Sequence, residues 1–509
     1  VDQLLLGIDV GTTGTKAALF TPDGRLRALG QAEYRIHHPR PGWAEQDPED
    51  WWQAVCVAVR QALAGVPGSA EGVAGVAVSS QAPTMLPLNR AGEPVRPALI
   101  WMDRRADAEA VQLGEQVGQS RLVAITGNRA DPYYVAPKLL WFRTHEPERF
   151  AETALFVQVN GFIGYRLTHE FALDNVHAAL LQLQDWRTAD WSAEVCDACG
   201  VEPAQFPPVH FGWHVLGQVS AEAADVTGLR PGTPVMVGTV DGAAAALEAG
   251  AVEPGIAAEM TGTSTVLLMA NASGVVEPAF IAMPHAVPGV HLLLGALATS
   301  GASLRWYRDQ FGLAEANAAS QLGLDSYDLL TMQAAKVGPG SSGVIFLPYM
   351  MGERSPIWHT NARGVFFGLT LATPRGALIR AILEGTAFAL KHNVEVAQQA
   401  GVSFSEIRSV GGGARSALWN QIKADVLGLP IRLPQTSVGA AFGAAVLAGM
   451  GLGLYSDVRR TLRDLVQLEA SYEPDWQNHS LYQELYQVFR GIYESLREDF
   501  DKAAAIGLG

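Results

Sequence analysis

The chain has 509 residues, more than one hydrophobic core usually organises, so at least two domains are expected. Its formal net charge of -15 argues against a nucleic-acid partner, which needs a basic face. Three cysteines are too few for a disulfide framework and point to a reducing cytoplasm, and no basic segment followed by an apolar one suggests a signal peptide.

Residues 4–20 read LLLGIDVGTTGTKAALF. Leu4, Leu5 and Leu6 predict a buried strand, and Ala17, Ala18, Leu19 and Phe20 a second one returning beside it. Between them Gly11, Thr12, Thr13, Gly14 and Thr15 make a turn of glycines and hydroxyls. Glycine lets backbone N–H groups converge on an anion, and threonines add donors. Asp9 lies in the first strand, where an unpaired carboxylate is costly. An acid beside bound phosphates implies a divalent cation, because Mg²⁺ takes a carboxylate, waters and phosphate oxygens. An ordinary glycine-rich hairpin is the competing reading, and this stretch alone does not separate the two. It is neither a P-loop nor a dinucleotide fingerprint, since its glycines sit between two strands.

Farther along, Pro22-Asp23-Gly24 predicts a turn and residues 25–34 a strand. Residues 41–52, PGWAEQDPEDWW, contain a helix start at Asp47-Pro48-Glu49-Asp50, and the helix is expected to run through Ala64. Residues 73–79 predict an apolar strand ending at Ser79-Ser80-Gln81-Ala82-Pro83, a place for polar substrate contacts. Residues 98–105, ALIWMDRR, predict a strand running into a polar cluster. Trp101, Asp103 and Arg104 read either as a pocket border or as a packed Trp with a surface ion pair. Tyr133, in Asp131-Pro132-Tyr133, reads as a substrate contact or a core Tyr. Cys196 and Cys199 form one CxxC without the further ligands zinc needs, so buried thiols on a helix are expected.

Residues 234–250, PVMVGTVDGAAAALEAG, predict a strand, a break at Gly238 and Thr239, and a helix with Asp241 at its mouth. An acid there caps a helix well; it is also placed to accept a hydroxyl proton. Residues 257–270, AAEMTGTSTVLLMA, repeat the plan of the first hairpin. Aligned on the first glycine of each turn, Met260 stands where Asp9 stands, and Glu259 should face the other side of its strand. Two related domains, each presenting a hairpin to a shared cleft, are inferred. Ser300-Gly301-Ala302-Ser303 precedes a helix, and a strand at residues 407–410 runs into Gly411-Gly412-Gly413, where backbone can approach a flat base or phosphate. The small-residue run at 438–454 predicts a buried helix close to a sheet, not a membrane span. From about Pro474 an amphipathic helix with Leu481, Leu485, Val488 and Ile492 on one face is expected to close the second domain.

The first hairpin resembles the first phosphate loop of the actin, hexokinase and heat-shock chaperone ATPases, and within them that of the FGGY carbohydrate kinases. WAEQDPEDWW, APKLLW and GGGARS resemble xylulokinase segments; DPY followed by Lys138 and Trp141 resembles glycerol kinase. PYMMGERSP at residues 348–356 resembles the family's PYLxGERxP. The resemblance implies an α/β fold of two ribonuclease-H-like domains flanking a deep cleft. Residues 1–247 would hold the sugar and first phosphate loop, and residues 248–509 the nucleotide. It implies ATP-dependent phosphorylation of a primary hydroxyl, with ATP and Mg²⁺ as cofactors and domain closure excluding water. Asp241 would be the base and touch the substrate, and Asp9 would hold the metal largely through water. Gly11, Thr12, Thr13, Lys16, Gly262, Thr263, Gly301, Gly412 and Gly413 would surround the nucleotide and its phosphates. Gln81, Trp101, Asp103 and Tyr133 would surround a small sugar or polyol. No nucleic acid or membrane partner is implied, and a homodimer is left open. Xylulokinases carry QMHG, and glycerol kinases QRE, where this chain has Gln81 followed by Ala82 and Pro83. Three readings follow: a kinase for a ketopentose such as xylulose; a kinase for another polyol or sugar acid such as glycerol, erythritol, ribulose or gluconate; or a non-catalytic sugar sensor. Retention of both Asp9 and Asp241 speaks against the sensor.

Overall fold

The computed structural model describes residues 3–272, 274–435 and 438–507. Two mixed sheets organise it. The first holds β1 (Leu4–Val10), β2 (Gly14–Phe20), β3 (Leu26–Glu33), β4 (Val73–Ser80), β5 (Val215–Gln218) and β6 (Pro234–Val240), in the order β5-β6-β4-β1-β2-β3. The second holds β7 (Gly255–Thr261), β8 (Thr265–Asn271), β9 (Ile281–Pro284), β10 (His291–Leu297), β11 (Phe404–Val410), β12 (Ile431–Pro434) and β13 (Leu468–Tyr472), in the order β9-β10-β8-β7-β11-β12-β13. In each sheet a central hairpin strand pairs antiparallel with its return strand and parallel with a distant one: β1 with β2 and β4, β7 with β8 and β11. The repeat seen in the two turn motifs is therefore a repeat of sheet topology.

The helices that position the site are α1 (Pro48–Ala64), α2 (Asp241–Glu248), α3 (Gly301–Phe311), α4 (Arg375–Gln399), α5 (Ala417–Leu427), α6 (Ala440–Gly451) and α7 (Trp476–Ala505). Helix α1 begins at Asp47, whose side chain accepts from Glu49 N–H, with Pro48 at the first position. Helices α2 and α6 cross between the sheets. Gly242 of α2 faces Leu268, Leu294 and Met283 of the second sheet. Helix α6 instead lies on the first sheet, so close that a Cβ on Gly7 of β1 would sit 1.8 Å from the Ala441 carbonyl. The two helices touch through Gly443, where a Cβ would fall 2.0 Å from the Ala244 carbonyl. Small residues at 440–449 thus serve close backbone packing. Glu248, at the end of α2, clasps the start of α6: its Oε1 accepts from Val438 N–H and Gly439 N–H, each at 2.8 Å. No helix among the described residues is long and apolar enough to cross a membrane.

Two local expectations change. The strand expected over residues 98–105 is confined to Ala98–Leu99, and Trp101 and Asp103 lie in the turns after it. Helix α7 does close the second sheet's core, but Leu481 and Val488 are exposed. Tyr482, Tyr486, Phe489, Ile492 and Tyr493 are its buried residues, because the larger rings pack around Phe388 of α4. Cys196 and Cys199 are free thiols buried on the helix Ala193–Cys199.

Candidate active site

Strands β1, β4 and β6 run parallel and end side by side. Each end delivers one candidate: Asp9 on β1, Gln81 just past β4, and Asp241 just past β6. Asp9 lies opposite Lys16 in the hairpin and beside Ser79 of β4, whose hydroxyl donates to Asp9 Oδ1 at 3.0 Å. Burial lifts the Asp9 pKa from 3.8 to about 6, against the lowering influence of Ser79 and Lys16. Asp241 is the first residue of α2 rather than its cap, and its Oδ1 accepts from Gly242 N–H at 2.7 Å. Burial first, and then the charge of Asp9, raise its pKa to about 7, offset in part by Gly242 N–H and His177. A carboxylate that titrates near neutrality, at the mouth of a cleft, suits a general base for an alcohol.

The first turn is closed by Gly11 N–H donating to the Gly14 carbonyl at 3.0 Å. Thr12 is half-buried, whereas Thr13 and Lys16 are exposed. Lys16 Nζ lies 3.8 Å from where a side chain on Gly439 would begin, so it reaches toward the clasp between α2 and α6. Glu248 in that clasp has its pKa raised to about 8, chiefly by burial.

The second turn opens into a cavity of ≈ 630 Å³ whose lining includes Gly262, Thr263, Gly301, Gly412 and Gly413. All five candidates from the second half are thereby brought together. Close approach explains two of the glycines: a Cβ on Gly301 would sit 2.2 Å from the Gly262 carbonyl, and one on Gly413 would sit 2.4 Å from Thr261 Cγ2. The Thr263 carbonyl accepts from Ser300 N–H at 3.1 Å and Ala302 N–H at 3.0 Å, which fixes the turn against the start of α3. Glu259 takes no part in this cavity. It is fully buried and pairs with Lys423 of α5 at 2.8 Å, with hydroxyl donors from Thr261 and Ser409.

Among the candidates for the acceptor pocket, the structure joins Gln81, Trp101 and Tyr133 and encloses Asp103. Tyr133 OH donates to the Ala82 carbonyl at 3.1 Å, and its ring meets Trp101 edge-on at 6.5 Å. Asp103 is fully buried: its Oδ2 accepts from Ala44 N–H at 2.6 Å, and Arg105 pairs with it at 2.8 Å. The cause is Arg105, which folds back and stacks on Trp43 at 3.6 Å. Arg104 pairs with Asp131 at 2.7 Å, and Asp131 also accepts from Tyr133 N–H at 2.8 Å. Lys138, fully buried, donates to the Pro132 carbonyl and, at 2.9 Å, to the Tyr133 carbonyl. The two motifs therefore brace one another, and what they brace is Tyr133.

Sequence reasoning missed four contributors. Arg354, met only as part of the PYMMGERSP string, crosses from the second half and places its guanidinium 5.5 Å from the Trp101 ring centre. Gln46, seen only as part of the EQDP string, links two parts of the site. Asp174 and His177 are fully buried partners, with His177 Nε2 3.3 Å from Ser80 Oγ; no motif announced them.

Comparison with known proteins bears on the same residues. The N-terminal domain of the FGGY family of carbohydrate kinases matches residues 4–248, and its C-terminal domain matches residues 257–452. A xylulose kinase of Escherichia coli is 33% identical over 97% of this chain and 99% of its own length. An autoinducer-2 kinase of Escherichia coli is 32% identical, covering 96% of this chain and 94% of its own. The crystal structure of xylulose kinase from Rhodospirillum rubrum superimposes with a TM-score of 0.89 at 32% identity, covering 98% of this chain and all 100% of that one. Both halves match in order and nearly end to end, and the chain belongs to the FGGY family of carbohydrate kinases.

Proposed function

We propose that this carbohydrate kinase transfers the terminal phosphoryl group of ATP to a primary hydroxyl of a ketopentose such as xylulose. The observation that carries the reading is Asp241, a half-buried acid with a pKa near 7, set near Asp9 at the ends of the two parallel strands that flank β4. The acceptor hydroxyl gives its proton to Asp241 as its oxygen attacks phosphorus. Gly11, Thr12, Thr13 and Lys16 hold phosphates from the first sheet. Gly262 and Thr263 hold them from the second, and Gly301, Gly412 and Gly413 border the nucleotide. Gln81, Trp101 and Tyr133 orient the sugar, while Asp103 acts at one remove by fixing Arg105.

Asp9 fits a divalent cation. Among the described residues no group of three or more His, Cys, Asp or Glu could cage a metal. A lone carboxylate beside a phosphate turn suits Mg²⁺, which keeps most of its waters. When bound there, the cation neutralises phosphate charge.

Xylulose is supported by the named relatives and by the EQDP segment. A second reading, another small polyol or sugar acid, is favoured by Ala82 and Pro83, whose side chains offer no hydrogen bond where QMHG has two functional side chains. The likeness to an autoinducer-2 kinase points the same way. The test is ADP release with a panel of ketoses, alditols and sugar acids. Xylulose is expected to give the highest kcat/KM; a clear preference for glycerol, erythritol or gluconate would replace the substrate reading.

A further inference from the structure

Gln46 lies on the short strand Glu45–Gln46 and is 1% exposed. Its Oε1 accepts from Gln81 Nε2 at 2.6 Å and from Trp51 Nε1 at 3.1 Å. Its Nε2 donates to the Thr12 carbonyl at 2.8 Å. The chemistry of the partners fixes this orientation. An indole N–H only donates and a carbonyl only accepts, so a flipped amide would oppose donor to donor and acceptor to acceptor. Gln81 thereby commits its amide nitrogen to Gln46, and its Oε1 is left buried with no partner in the protein. Thr12 is held a second time, through its hydroxyl, by Trp101 Nε1 at 3.0 Å. Two sugar-side residues are thus tied to one residue of the phosphate turn, Gln81 through Gln46 and Trp101 directly.

We propose that Gln46 is a positioning residue that couples the acceptor pocket to the phosphate turn, so that filling one side tightens the other. The proposal rests on Gln81 as an acceptor contact and Thr12 as a phosphate contact. The free Oε1 of Gln81 can only accept, so the group it meets must be a donor, a hydroxyl rather than a carboxylate or carbonyl. A hydroxyl bound there fixes the Gln81 amide, which fixes Gln46, which fixes the Thr12 backbone. Such coupling is reciprocal: bound phosphates favour the Gln81 orientation that receives the hydroxyl.

The experiment compares Gln46→Glu, Gln46→Leu and Gln81→Ala for the KM of MgATP and of the acceptor. The acceptor is D-xylulose, or the best substrate of the panel where that differs. Gln46→Glu keeps an oxygen for Gln81 and Trp51 but turns an oxygen toward the Thr12 carbonyl. It is expected to raise the MgATP KM about fivefold or more, the loss of one hydrogen bond, and to raise the acceptor KM at saturating MgATP by a similar factor, while acceptor affinity without nucleotide stays within about twofold. Gln46→Leu is expected to raise both constants, and Gln81→Ala mainly the acceptor KM. If Gln46→Leu does not fold, Gln46→Glu carries the test. If neither folds, Trp101→Phe, which cuts the other bond to Thr12, must raise the MgATP KM. A Gln46→Glu enzyme with both constants unchanged, or with only kcat or melting temperature lowered, overturns the relay while Gln81→Ala still upholds the pocket. A silent Gln81→Ala overturns the pocket contact itself, and the relay with it.

Discussion

Asp241→Asn separates what the acid does for chemistry from what it costs the fold. Asn keeps an oxygen for Gly242 N–H, so the local geometry is retained. It cannot take a proton, and phosphoryl transfer should fall by ~10²–10⁴-fold with nucleotide binding largely intact. The native state binds the Asp241 proton more tightly than the unfolded chain, with a pKa moved from 3.8 to about 7. Stability therefore falls as pH rises between those values, and above about 8 the whole penalty is present. At ~1.4 kcal/mol for each tenfold the penalty is about 4 kcal/mol, and water reaching the half-buried side chain reduces it to about 2–4 kcal/mol. With ~2.1 cal/mol/K of unfolding entropy per residue, the variant should melt about 2–4 °C above the wild type at pH 8 and about level with it at pH 4. Calorimetry at the two pH values, with ADP release at pH 8, measures both effects. A variant with near-normal turnover would refute the base. A melting point that stays level at pH 8 would refute the raised pKa of this carboxylate.

Asp9→Ala should raise the Mg²⁺ needed for half-maximal activity by ~10–100-fold and leave sugar binding nearly unchanged; an unaltered Mg²⁺ titration would remove Asp9 from the metal site. The wild-type kcat/KM should fall as pH drops through about 7, where Asp241 takes up its proton, and a rate flat to pH 5 would contradict that. Gly443→Ala should destabilise the protein by about 3 kcal/mol or more, because its Cβ would lie 2.0 Å from the Ala244 carbonyl; chemical denaturation measures it. Lys423→Met should cost about 3–5 kcal/mol by stranding Glu259, and adding Glu259→Met should recover much of that loss.

The sequence carried the repeat because two phosphate turns must each combine glycine, hydroxyl and flanking apolar strands, a pattern that survives without long-range information. It singled out Asp9 because an acid within an apolar strand is anomalous, and Asp241 because it stands where a strand gives way to a helix. Aligning Met260 with Asp9 worked for the same reason: strand alternation sends Glu259 to the opposite face, where Lys423 waits. What stayed hidden was set by partners distant in the chain. Asp103 looks like a pocket acid until Arg105 stacks on Trp43 and claims it. Gln46 looks like part of a helix approach until Gln81 and Thr12 arrive from other strands. The face of α7 was misread because a pattern of Leu and Val cannot reveal that Phe388 offers a niche for rings.

Helices α2 and α6 have each left the sheet that precedes them in the chain to cover the other. A gene split in the loop between residues 248 and 255 would therefore not release two self-sufficient modules. The first fragment would carry a bare strand face around Leu5 and Gly7 together with an orphan helix. The second would carry the converse, an uncovered patch at Leu268 and Leu294 and a helix built to lie on a sheet it no longer has. Mixed together, such fragments would be mutual templates, each supplying the other's missing cover. In the intact enzyme the same exchange means that any rocking of one sheet against the other must bend or slide this crossed pair, with Asp241 riding on one of its two members.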